Sequence, residues 1–138
     1  VGTNNLGGTD RNEIDVPKLR GFLDDLLNRI HSLAPAAHVI VATAPPARNN
    51  WENKPNMVFR NERTAAYNEQ VVKPSVTALA AAGRPISLVD NFSALDPEID
   101  LSDGVHPNES GKAKINAQWF AAIQDWRTEN ASAHSVSQ

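Results

Sequence analysis

Apolar residues recur at helical spacing between Leu19 and Leu33, where Leu19, Phe22, Leu23, Leu26, Leu27, Ile30 and Leu33 follow a 3.6-residue period. Asp15 is a good N-cap and Pro17 suits a first helical turn, so the pattern predicts a helix over residues 16–33 that Pro35 ends. The period then changes. His38-Val-Ile-Val-Ala-Thr43 is a short, almost wholly apolar run with β-branched residues, the mark of a strand covered on both faces, as in parallel sheets. Residues 45–60, PPARNNWENKPNMVFR, carry three prolines and four asparagines and read as a long irregular loop of the kind that often bears function. A second helix is expected from about Asn61, with Tyr67, Val71, Val72, Val76 and Leu79 as its apolar contacts, Pro74 as a kink and Gly83 as its C-cap. Pro85–Asp90 reads as a second buried strand and residues 91–109 as a second loop. A last helix is expected over about Ser110–Trp126, burying Ala113, Ala117, Phe120 and Ile123. Residues 128–138 read as a polar, disordered tail, leaving one domain over residues 1–127.

The order helix, strand, loop, helix, strand, loop, helix predicts an α/β fold with crossover connections. Two short strands make a poor sheet, however, because a sheet covered on both faces normally has about four or more strands. The first 14 residues, VGTNNLGGTDRNEI, have loop composition. Val1 is therefore expected to be the last residue of a third strand, with Gly2–Asn5 as the turn at its C-terminal end, the edge at which open parallel sheets bind ligands. The rest of the sheet is expected on a segment outside Val1–Gln138.

Composition removes several classes of function. With 138 residues and 41% hydrophobic content the chain is sized for one domain. Thirteen scattered Lys and Arg within a net charge of −3 leave no basic face for nucleic acid, and no apolar run is long enough to span a membrane as a helix. The absence of cysteine excludes disulfides, thiolate catalysis and Cys-ligated zinc. Sequons at Asn91, Asn108 and Asn130 add support for a secreted, extracellular protein.

The candidate chemistry lies in Leu101-Ser-Asp-Gly-Val-His-Pro-Asn108. Asp103 and His106 are three apart on a turn bracketed by Gly104 and Pro107, so the carboxylate can accept a hydrogen bond from imidazole Nδ1 and leave Nε2 to take a proton from a nucleophile. An isolated D-x-x-H is more often turn chemistry, with the Asp as a cap and the His as a helix-start residue. Asp90, Asp96 and Asp100 flank the same loop without Asp103's spacing. His31 and His38 read as surface or edge residues and no i, i+4 partner suggests a metal site. Trp51 reads either as a platform for a sugar ring or as an anchor for its loop, and Trp119 and Trp126 as packing residues.

Taken together, Gly2-Thr-Asn4 at a strand end and Asp103-Gly-Val-His-Pro-Asn108 before the final helix resemble the third and fifth sequence blocks of the SGNH hydrolases, the GDSL esterase family. The resemblance runs from Val1 to about Trp126. It implies a flavodoxin-like three-layer α/β/α parallel sheet, of which these residues form the C-terminal part, about two strands and three helices. It also implies a Ser-His-Asp triad with His106 as base and acid, Asp103 as its orienting carboxylate and the Asn4 amide in the oxyanion hole, with no metal or organic cofactor. VGTNN with DGVHPNESGKAKI is most similar to the secreted acetylxylan esterases of carbohydrate esterase family three, which implies short acyl esters on carbohydrate as substrates. Two family blocks are missing: the G-D-S nucleophile and a second Gly oxyanion donor. Ser102-Asp103-Gly104 runs in the reverse order, and no other serine is placed on a strand-to-helix elbow. Position 5 is Asn where the family more often has Asp. The chain alone is therefore expected to be inactive, with the N-terminal segment of the same precursor, either cut before Val1 and still associated or continuous with these residues, as the partner that carries the Ser. Other readings are a non-catalytic fragment or carbohydrate-binding relic folded with a partner or by strand exchange, and, within the family, a lipid or thioester substrate.

Overall fold

The computed structural model describes Leu6, residues 14–49 and residues 59–135. In chain order these form α1 (Val16–Leu33), β1 (Val39–Ala42), α2 (Arg60–Tyr67), a π-helical turn (Asn68–Val72), α3 (Lys73–Ala81), β2 (Ile86–Val89), α4 (Asn91–Ala94) and α5 (Glu109–Ser135). Strands β1 and β2 pair in parallel, Val39 opposite Ile86 through Ala42 opposite Val89. The α/β order expected from the hydrophobic pattern is thus the order observed.

Helix α1 begins where the caps place it: an Asp15 carboxylate oxygen accepts the Lys18 N–H at 3.0 Å, and Pro17 lies in the first turn. One stripe, Leu19, Leu23 and Leu27, is buried with Leu6, Tyr67, Val71 and Val72 in the main core. Val39, Val41, Ile86 and Leu88 pack on that core from the sheet. The rest of the apolar pattern of α1 is wider than the face it buries, and Phe22, Leu26 and Leu33 are exposed. The strand residues are mostly half-buried rather than fully enclosed, because among the described residues each strand pairs along one edge only.

The helical stretch from Arg60 to Ala81 solves the problem that Pro74 poses. Proline lacks an N–H and its ring crowds the carbonyl four residues back, which breaks a regular helix. Here the turn just before it widens to π geometry, the Lys73 N–H reaching Asn68 O, and the stretch continues as α3. It closes on Gly83 at φ 77°, with Arg84 N–H bonded to Leu79 O and Gly83 N–H to Ala80 O. That is a Schellman closure, and the positive φ is why the position is glycine.

Helix α5 covers the other side of the sheet, in contact with β2 and α4. Its expected face is corrected. Ala113, Ala117, Phe120 and Ile123 are all exposed, Phe120 at 65%, whereas Gly111 is buried and Ile115, Trp119, Ala122 and Trp126 are half-buried. Both stripes are apolar, so the pattern did not choose between them; the close fit of Gly111 against the preceding loop does. The helix also runs past Trp126 to Ser135, through residues expected to be a disordered tail. No Gly or Pro follows Gly111 before Ser135, and the extension is rich in good helix formers.

Candidate active site

The loops that leave the C-terminal ends of β1 and β2 meet at one edge of the sheet, and buried polar groups fix that edge. Thr43 Oγ1 donates to Asp90 Oδ1 at 3.0 Å and accepts the Phe92 N–H at 2.9 Å. Asp90 also caps α4 by accepting from the backbone N–H and hydroxyl of Ser93, and these donors hold its carboxyl below the usual carboxylate range against the opposing effect of burial. Asn68, buried in the π turn, accepts the Ala44 N–H at 2.8 Å and donates to Ala44 O at 2.9 Å. The widened turn thus aims an amide that satisfies both backbone groups of a residue just past β1, where no strand among the described residues does so.

Beyond β2, residues 100–108 form a closed loop. Leu101 and Pro107 make an antiparallel bridge, Ser102 N–H reaches His106 O at 2.9 Å, and Gly104 takes φ 93° at the apex. Asp103 Oδ1 accepts two backbone N–H groups, Val105 at 3.0 Å and His106 at 2.8 Å, which folds the turn around its own carboxylate. Its other oxygen, Oδ2, lies 2.7 Å from His106 Nδ1. The spacing-based expectation is met in geometry: the structure brings Asp103 and His106 together. The His106 donors, first backbone and then imidazole, hold the Asp103 carboxyl far below the usual carboxylate range, so it stays ionised. His106 is 71% exposed and Nε2 has no hydrogen bond among the described residues, so the pair presents an unoccupied base to whatever lies over this edge.

Two groups hold this loop: Asp100, which the sequence marked only as a flanking carboxylate, and Arg48, which it did not mark at all. Asp100, fully buried, accepts from Lys114 Nζ at 2.6 Å, Ser110 Oγ at 2.8 Å and Asp96 N–H at 2.8 Å, and these donors, Lys114 foremost, lower its pKa to about 2. It is an anchor between loop and α5 rather than a rival to Asp103. Asp96 likewise has a local task, accepting the Glu98 N–H at 2.8 Å. On the other side, Arg48 from the β1 loop bonds the loop backbone through both main chain and guanidinium. Their decisive partners are distant: Lys114 lies 14 positions from Asp100, and the carbonyls that meet the Arg48 guanidinium lie about 50 positions away.

The remaining candidates resolve as follows. His38 is half-buried rather than a bare edge residue: Nε2 lies 2.9 Å from Ser87 Oγ and its ring stacks on Trp126 at 5.7 Å. This Ser–His contact sits at the opposite end of the strands, its imidazole bonds no carboxylate among the described residues, and Ser87 lies inside β2 rather than on a turn. Trp119 and Trp126 are half-buried on the packing side of α5, as expected. Among the described residues no cluster of His, Asp and Glu could hold a metal ion. Of the sequons, Asn91 is buried, and Asn108 is the N-cap of α5, its Oδ1 accepting the Gly111 N–H and its Nδ2 donating to Ile99 O. Asn4, Trp51 and the side chain of Asn130 lie outside the described residues. Leu6, two positions after Asn4, is fully buried and its carbonyl accepts from Arg63 Nε at 2.8 Å.

Residues 1–119 match the GDSL-like Lipase/Acylhydrolase family. The chain belongs to that family. A multidomain esterase of Ruminococcus flavefaciens is 28% identical over 129 residues, which is 91% of this chain and 15% of that protein. Among solved structures, a putative platelet activating factor from Streptococcus pneumonia superposes with a TM-score of 0.70 at 15% identity, over 89% of this chain and 56% of the other. A Clostridium thermocellum family 3 carbohydrate esterase does so with a TM-score of 0.59 at 24% identity, over 86% of this chain and 50% of the other. These likenesses place the two strands and their helices in the α/β fold of the GDSL-type esterases. The chain spans about half the length of the solved structures it matches and a smaller share of the multidomain esterase.

Proposed function

We propose that residues 1–138 are the C-terminal part of a GDSL-type serine esterase that removes short acyl groups, acetyl foremost, from carbohydrate such as acetylated xylan. The nucleophilic Ser belongs to a segment outside Val1–Gln138. The observation that carries the reading is the Asp103–His106 contact of 2.7 Å, held at the C-terminal edge of a parallel sheet in a member of an esterase family. The missing G-D-S block and the exposed apolar stripe of α5 at Phe120 and Ile123 fit a Ser-bearing N-terminal segment that completes both site and core. The carbohydrate substrate draws its support from the likeness to one solved carbohydrate esterase and from the sequence resemblance to acetylxylan esterases.

In this mechanism the Ser oxygen bonds to the ester carbonyl carbon as its proton passes to His106 Nε2. Ionised Asp103 keeps Nδ1 protonated and stabilises the imidazolium. The Asn4 side-chain amide donates to the oxyanion of the tetrahedral intermediate. His106 then protonates the leaving sugar oxygen, the C–O bond breaks, and an acyl-enzyme remains. Water attacks it, giving one proton to Nε2; the carboxylic acid leaves and the Ser regains its proton.

Release of acetate from acetylated xylo-oligosaccharides by the complete enzyme tests this. The expected result is turnover by the wild type, with acetyl favoured over octanoyl esters, and a loss of about 10³-fold or more in His106→Ala with folding retained. Full turnover by the variant would overturn the assignment.

A further inference from the structure

The Asp103–His106 pair has little side-chain packing to hold it, for the two side chains are 42% and 71% exposed. Its geometry therefore depends on what fixes the backbone beneath it. We infer that Arg48 is the positioning residue that sets this loop, an inference that rests on the serine-esterase reading above. The Arg48 N–H donates to Gly104 O at 2.7 Å, inside the D-x-x-H turn itself. Its guanidinium meets three further carbonyls of the approaching loop: Nε donates to Pro97 O at 3.0 Å, and Nη2 to Glu98 O at 2.9 Å and to Leu101 O at 3.2 Å. The Glu98 carboxylate, 3.2 Å from Nε, steadies the charge. Three carbonyls converging on one cation require several donors in a fixed plane, which a guanidinium supplies and an ammonium does not.

Arg48 is itself held at a fixed height above the sheet. Its neighbour Ala47 is buried and donates its N–H to Asn61 Oδ1 at 3.3 Å, while Asn49 Oδ1 accepts the Asn61 N–H at 2.9 Å. The start of α2, the β1 loop and the D-x-x-H loop are thereby joined through Ala47, Arg48 and Asn49. Among the described residues Arg48 bonds carbonyls of the loop and makes no hydrogen bond to the His106 imidazole, so its effect on turnover comes through the placement of the pair.

The test compares Arg48→Met, Arg48→Lys and Arg48→Ala in the complete enzyme, with His106→Ala assayed beside them. Arg48→Met is expected to lower kcat about tenfold to a hundredfold, the usual cost of displacing a catalytic group by about 1 Å, with KM within about twofold of wild type. The low-field NMR resonance of the His106 Nδ1 proton should broaden or move upfield. Arg48→Lys, which keeps charge and length but not the fork, should fall between wild type and Arg48→Met. Added methylguanidinium should restore part of the kcat of Arg48→Ala, a rescue that a fold-stabilising contact alone does not give. Wild-type kcat and an unmoved Nδ1 proton in folded Arg48→Met or Arg48→Lys would overturn the inference, as would a loss of activity that only tracks the unfolded fraction. Retained activity in His106→Ala would instead refute the triad reading, so the two failures are distinct.

Discussion

Gly111 sits where the first turn of α5 meets the loop that carries Asp103 and His106. A Cβ at this position would lie 2.3 Å from the Asp100 carbonyl oxygen and 3.1 Å from Pro107 Cβ. An ordinary carbon–oxygen contact is about 3.3 Å, so Gly111→Ala demands a withdrawal of about 1 Å. The obstructing atom belongs to the backbone and cannot swing aside like the end of a side chain. That carbonyl also accepts the Asn108 N–H at 2.9 Å, and the Asp100 carboxylate is fastened to Lys114 and Ser110 on the same helix. Overpacking of this kind costs about 1–3 kcal/mol, and the better helix propensity of Ala returns at most about 1 kcal/mol. A net loss of about 1–2 kcal/mol is expected as a lower denaturant midpoint at unchanged m-value. Because the same displacement carries the D-x-x-H turn, kcat should fall about a hundredfold while KM moves little. Wild-type stability and turnover in Gly111→Ala would refute the claim that this contact sets the height of the loop.

Three further outcomes are expected. Asp103→Asn should leave the fold intact and lower kcat about 10³–10⁴-fold, through loss of the charge that supports the His106 imidazolium, as measured by steady-state kinetics beside a thermal melt. Asn68→Ala removes the partner of both backbone groups of half-buried Ala44 and should destabilise by about 1–3 kcal/mol in urea unfolding; a change under about 0.5 kcal/mol would contradict the role given to the π turn. Asp100, with its pKa lowered to about 2, and Asp103, lowered further, both lie below the unfolded Asp value of about 3.9, so their contribution is fully present above that value and lost as pH falls through their folded values. Unfolding free energy should therefore drop steeply below about pH 4, and Asp100→Asn should flatten that drop.

Those residues differ sharply in how far the sequence announces them. Helix α1, the two strands and the Schellman closure at Gly83 were legible because each is written in neighbouring residues: a leucine period after Asp15 and Pro17, two β-branched runs, and a glycine after the last apolar turn. The Asp103–His106 contact was legible for the same reason, since a three-residue spacing with Gly104 between is a local geometry. What could not be read depends on distant partners. Pro74 signalled a disturbed helix, yet that the disturbance would be a π turn aiming Asn68 at Ala44 follows from packing 24 residues away. The face of α5 was misjudged because Phe120 and Ile123 form as good an apolar stripe as Ile115, Trp119 and Trp126, and distant contacts, Gly111 against Asp100 and Trp126 against His38, decide between them. Arg48 sits in a Pro- and Asn-rich loop with nothing beside it to mark its reach across about 50 residues to Pro97 and Leu101.

A loop built by local turn chemistry and braced from two sides gives the pair its geometry before any substrate arrives, the condition under which an imidazole can act at once as base and then acid. The most direct measurement is reaction of the complete enzyme with an alkyl fluorophosphonate, followed by peptide mass spectrometry to locate the adduct. The expected result is one phosphonylated Ser outside Val1–Gln138, in a G-D-S context, formed at a rate that collapses in His106→Ala. An adduct on Ser87 or another serine of these residues, or equal labelling of the His106→Ala variant, would contradict the reading that Asp103 and His106 serve a nucleophile carried by another segment.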